Sequence, residues 1–128
     1  MHIDGYYSKD IKTVRAATVL TTGYVAGTEV DLVECNQAVL YVDFVIGSLT
    51  TAELKVEFSK DGTDWYQEVA QAVSGGTAAE SLVEHQFSAS GSYRLAIPVM
   101  DKLIKVSVKG TGTVTNSSMA VKCQLGTA

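Results

Sequence analysis

Proline is nearly missing from this chain, with Pro98 the single example in 128 residues, and the only tryptophan is Trp65. Cysteine is scarce too. Cys35 and Cys123 cannot build a disulfide framework or a zinc quartet. Each sits beside an alternating segment, where a free thiol behaves as a small buried hydrophobe, as expected of a protein made in a reducing cytoplasm. Clustered positive charge is absent: 10 Lys+Arg face 14 Asp+Glu, a formal net charge of −4, and no basic run exceeds isolated residues. Nucleic-acid binding needs grouped cations to displace counterions from phosphates, so that class is set aside. No apolar run approaches the ~20 residues that cross a bilayer, so no membrane partner is expected. The opening "MHIDGYYSKDIK" has no charged head followed by an apolar stretch, so no secretory signal is expected.

What remains is ample for a core. The chain is 46% hydrophobic and 19% charged, the balance of a folded domain. Period-two alternation runs from one end to the other. In "AVLYVDFVI" Leu40, Val42, Phe44 and Ile46 share one face, and Val39, Tyr41 and Val45 share the other. Both faces are apolar enough for a central strand covered on each side, or covered on one side by a neighbouring subunit. "ELKVEFS", "SYRLAIP", "LIKVSVKG" and "SMAVKCQLG" alternate more cleanly, and weaker strands are expected at "TVRAATVLTT", "EVDLVE", "DWYQEVA" and "SLVEHQFS". Gly75-Gly76 breaks the Ala- and Glu-rich stretch between the last two, which reads as a strand end, a flexible loop and the next strand. The expected fold is all-β: a single antiparallel β-sandwich or jelly roll of about eight or nine strands over residues 13–128. Residues 1–12 read as an extended N-terminal arm, whose Tyr6-Tyr7 pair is worth burying against another subunit.

"FSKDGTDWYQE" carries the strongest turn signal. Asp61-Gly62 supplies the positive φ of a tight turn, and Ser59 and Asp61 can accept bonds from backbone N–H groups. Ser59, Asp61, Gly62 and Trp65 are therefore read as a structural hairpin corner rather than a ligand loop. No chemistry emerges elsewhere. His2 and His85 have no His or Cys at metal-ligand spacing, and no serine lies in a nucleophile elbow. "KGTGTVTNSS" is neither a dinucleotide fingerprint nor a Walker loop. Asp4, Asp10, Glu29 and Asp31 lie in no calcium-loop spacing. The reading is of a protein that is not an enzyme, with no catalytic, cofactor-binding or metal-binding residues and no cofactor.

The Ser-x-Asp-Gly-x-x-Trp pattern resembles the Asp-box hairpins of sialidase-like propellers and of many β-sandwich modules, where it is a folding device. Followed by "GSYRLAIPVMDKLIKVSVKGTGTVTNSSMAVKCQLG", it resembles the small β-sandwich structural proteins of tailed bacteriophages, over roughly Leu54 to Gly126. That resemblance implies a virion structural protein on the capsid surface. Its implied partner is the major capsid protein, and it would act as a capsid decoration (cement) protein bridging capsomers, with a homotrimer favoured. Tyr6, Tyr7, Val39, Tyr41 and Val45 are the candidate partner contacts. A neck or tail component is the alternative within the same class. A carbohydrate-binding module is the alternative from another class, resting on Trp65, Tyr66 and Tyr93 as stacking platforms.

Overall fold

The computed structural model describes residues 11–32 and 35–127 and the backbone of Tyr6–Tyr7. All the described regular structure is extended, and every strand pairing is antiparallel. The strands are β1 (Tyr6–Tyr7), β2 (Lys12–Thr18), β3 (Val25–Ala26), β4 (Val30–Asp31), β5 (Gln37–Val45), β6 (Leu49–Ser59) and β7 (Tyr66–Gln67). They continue with β8 (Val69–Ser74), β9 (Thr77–Leu82), β10 (His85–Phe87), β11 (Gly91–Pro98), β12 (Leu103–Gly112) and β13 (Ser118–Thr127).

Sheet A runs β1 and β2, then β13, β5 and β11; β1 and β2 share one edge of β13. Sheet B runs β10 and β7, then β6, β12, and β3 with β4; again the short strands share edges. Taking the strands that share an edge as one position leaves eight positions. Their order is first–eighth–third–sixth in sheet A and fifth–fourth–seventh–second in sheet B. That is the connectivity of a jelly roll, two sheets built from Greek keys. The hairpin β8–β9 belongs to neither sheet.

Alternation explains why the layers close. Ala38, Leu40, Val42 and Phe44 of β5 are buried, as are Met119, Val121, Cys123 and Leu125 of β13. They meet Ala52, Leu54 and Val56 of β6 and Ile104, Val106 and Val108 of β12 in one continuous core. Each Val, Leu, Ile, Phe or Met among them contributes about 1.5–3 kcal/mol when fully removed from water. Cys35 and Cys123 are free thiols. Cys123 is fully buried in the core, and desolvation pushes its thiol up to about 11. Pro98 ends the edge strand β11, where a missing N–H breaks no ladder.

Several sequence boundaries shift. The expected strand over "TVRAATVLTT" stops at Thr18, because Arg15 turns back to donate to the carbonyls of Met119, Thr18 and Val19. Beyond it Leu20 plunges into the core, and its N–H donates to Ser117 Oγ at 3.1 Å. "DWYQEVA" divides into β7 and β8, as the chain leaves sheet B after Gln67 to start the separate hairpin.

Candidate assembly surface

The corner at Ser59 is held by side-chain acceptors. Ser59 Oγ accepts from Gly62 N at 2.7 Å, and Asp61 Oδ1 accepts from the N–H groups of Thr63 and Asp64, each at 2.9 Å. These two backbone donors pull the Asp61 carboxyl down to about 2. Gly62 takes φ +86°, the left-handed region that other residues rarely adopt. The loop returns so that Tyr66 pairs with Phe58. Trp65 is half-buried, and the ammonium of Lys105 on β12 lies 4.3 Å from its ring centroid. Lys105 alternates with the buried Ile104 and Val106, so this contact is on the outer face of sheet B.

The aromatic residues that suggested a sugar platform are not brought together. Trp65 lies beneath Lys105, whereas Tyr66 lines a groove on the other side of its strand. Tyr93 packs 4.8 Å from Phe87 and donates its hydroxyl to the Ala89 carbonyl.

Val39, Tyr41 and Val45 point outward from β5, since their neighbours Ala38, Leu40, Val42 and Phe44 are buried. Val39 and Tyr41 are half-buried and Val45 is exposed. Register places Arg94, Tyr41 and Lys122 in one row across β11, β5 and β13, and Ala96, Val39 and Gln124 in the next. The backbone of Tyr6 and Tyr7 pairs with Thr127 and Gly126 at the end of β13. The other residues of the expected arm up to Asp10 lie outside the described residues, as do His2, Asp4 and Asp10. Lys12 already belongs to β2.

Sequence reasoning missed the most exposed feature. Gly75 and Gly76, at φ +57° and +81°, form the two-residue turn of a hairpin. A pair of positive-φ residues there matches the twist of the strands they join. Six residue pairs, from Val69–Leu82 to Ser74–Thr77, zip the hairpin together. Among the described residues its edges pair with no other strand, and Val69, Val73 and Leu82 are exposed, Val73 at 69%. The signal was present in "VSGGTA", a Gly-Gly turn between two β-capable runs.

At the base of this hairpin the sandwich leaves a seam between the edge strand β11 and the short strands of sheet B. Phe58, Tyr66, Gln67, Glu68, Pro98, Met100 and Asp101 line an open groove of about 400 Å³. Met100 is 96% exposed and Tyr66 54%. His85 lines a smaller adjoining hollow of about 110 Å³ with Glu68 and Val83. Among the described residues, no group of three or more His, Cys, Asp or Glu is placed to hold a metal ion.

A polar cluster on the outer face of sheet B is structural. Tyr24 lies between Lys55 and Lys109, at 4.6 and 4.9 Å from its ring centroid. Burial, then the nearby carboxylates of Glu84 and Glu53, raise its hydroxyl above the ordinary range. Glu53 is only 6% exposed and accepts from Thr111 Oγ1 at 2.6 Å. These contacts pin the loop before β3 onto sheet B.

No protein-family model and no curated protein matches the sequence. Two solved structures are similar to it. One comes from Bacillus endospore appendages, described as disulfide-linked pili; it is 12% identical, with a TM-score of 0.51, covering 98% of this chain and 92% of that one. The other is the SPBc2 prophage-derived protein YomS, at 17% identity and a TM-score of 0.45, covering 94% of this chain and 95% of that one. At 12% identity the likeness to the pilus subunit is one of fold.

Proposed function

We propose that this protein is a non-enzymatic structural subunit of a phage particle, attached to the outside of the capsid as a decoration protein. The observation that carries the reading is the β8–β9 hairpin. It stands off the jelly roll with unpaired edges and bare valines, beside an apolar groove. Exposed apolar surface rimmed by polar residues marks a place where another protein binds. The phage-like phrases from Leu54 to Gly126 agree with it, as does a fold also found in a pilus. Decoration would work by adding contact area across seams between capsomers, so that internal pressure must part more interface before the shell opens. A standard interface buries about 1,600 Å², and many symmetric copies multiply a modest affinity.

The test is sedimentation of the purified protein with isolated phage heads that lack it. Stoichiometric binding is expected, with a higher temperature for head rupture. Val73→Lys with Leu82→Lys should abolish binding while leaving the fold intact. Heads that neither bind nor gain stability overturn the decoration role, and density at the neck or tail in a virion map would move the protein there.

A further inference from the structure

We propose that copies of this chain join head to tail, the β8–β9 hairpin and groove of one copy seating on the outer face of sheet A of the next. This rests on the proposed function and deepens it: the hairpin whose lysine variants lose head binding acts by joining the copies that meet the head together.

The hairpin is the part in need of a partner. A two-stranded ribbon is marginal by itself in water, and natural edge strands are guarded by lysine, proline or inward charge. Residues 69–82 contain no Lys, Arg or Pro, and Glu80 is their single charge. The adjoining groove adds Glu68 and Asp101 and is lined by no Lys or Arg, although Lys60 reaches the rim at 5.6 Å from the Tyr66 ring centroid. This surface is apolar and acidic.

The outer face of sheet A is its complement. Cross-strand partners share a side of the sheet, so Arg94 and Lys122 flank Tyr41 on the solvent side, with Val39 and Ala96 in the adjoining row. Arg94 and Lys122 are exposed, and neither pairs with a carboxylate among the described residues. Among the described residues the one carboxylate of that face, Asp43, accepts from the hydroxyl of Ser92 at 2.7 Å. Two unpaired cations around an aromatic thus sit on a chain whose net charge is −4, and the acids Glu68, Glu80 and Asp101 gather at the hairpin and its groove.

Because the two patches differ, the contact is heterologous and must either close into a ring or propagate. They meet along β11, whose Pro98 lines the groove and whose Arg94 belongs to the face. Successive copies therefore turn sharply, which favours a small closed ring such as a trimer over a filament.

Sedimentation velocity on the full chain tests this. Wild type should associate with rising concentration, about an order of magnitude more weakly at ~0.5 M salt than at ~0.05 M. Arg94→Glu with Lys122→Glu should be monomeric, as should Glu68→Lys with Glu80→Lys. Mixed in equal amounts, the two variants should associate again, because each then meets opposite charge. All four positions are exposed, and circular dichroism checks their folding. A wild type that stays monomeric overturns the proposal. So does association that survives the Arg94/Lys122 pair, which would mean hairpin pairing with hairpin. A monomer that still binds heads would defeat self-association while leaving the decoration role standing.

Discussion

The ammonium of Lys105 stands 4.3 Å from the centroid of the Trp65 ring and closes the outer face of that indole. An aromatic covered in this way is a clasp between β12 and the loop after β6, not a platform for a flat ligand. Cation–π contacts at partly exposed sites contribute about 0.5–1 kcal/mol. A double-mutant cycle of Trp65→Leu and Lys105→Gln in urea unfolding should give a coupling of that size. Strictly additive losses would show that the two side chains act independently.

The Ser59–Asp61 corner should announce itself at low pH. The Asp61 carboxyl titrates at about 2 in the fold against an ordinary 3.8, because two backbone N–H groups hold its charged form. A depressed carboxylate adds stability above its unfolded value, and that share fades as pH falls through its folded one. The melting temperature of wild type should therefore drop between about pH 4 and pH 2 more than that of Asp61→Asn. Parallel profiles for the two proteins would remove Asp61 from the acid response.

Backbone constraints at the β12–β13 end are equally open to measurement. Ser117 is buried, donates to the Val114 carbonyl at 2.6 Å and accepts from Leu20 N. Ser117→Ala leaves that N–H buried without a partner and should cost about 1–3 kcal/mol. Gly47 has φ +56°, and a Cβ there would fall 2.4 Å from the carbonyl oxygen of Asn116. Gly47→Ala should cost more than about 1 kcal/mol, whereas Gly23→Ala, with open space around it, should stay within about 0.5 kcal/mol of wild type. Equal effects at the two glycines would contradict the close approach of the two loops.

The long strands were legible because alternation is a property of the strand itself: Leu40, Val42, Phe44 and Leu54, Val56 declare their buried side in the sequence. The Asp61-Gly62 corner was legible for a similar reason, since its bonds link residues no more than three apart. The jelly-roll order was harder to reach, because β13 lies between β5 and the first strands through pairings about eighty to over a hundred residues apart. Nothing local encodes them. The β8–β9 hairpin was obscured by composition. Ala78, Ala79 and Glu80 suggest helix, and no side chain described in either strand is buried to impose a period. The Arg94–Tyr41–Lys122 row exists only once register is known. Its members are 53 and 28 residues apart in sequence.

That difference in support gives the last expectation. The β6–β12 pair lies at the centre of sheet B and buries Leu54, Val56, Ile104, Val106 and Val108. Its amides should exchange only through global unfolding, while those of β8 and β9 should exchange through local opening many times faster, having no core beneath them. Gly75→Val with Gly76→Val forbids the turn's positive φ and should erase the remaining protection of residues 69–82 without moving the melting temperature of the sandwich. Protection in the hairpin equal to that of β6 at low protein concentration would mean that it is held by the body of its own molecule. Protection that rises with protein concentration would mean that it is held by another.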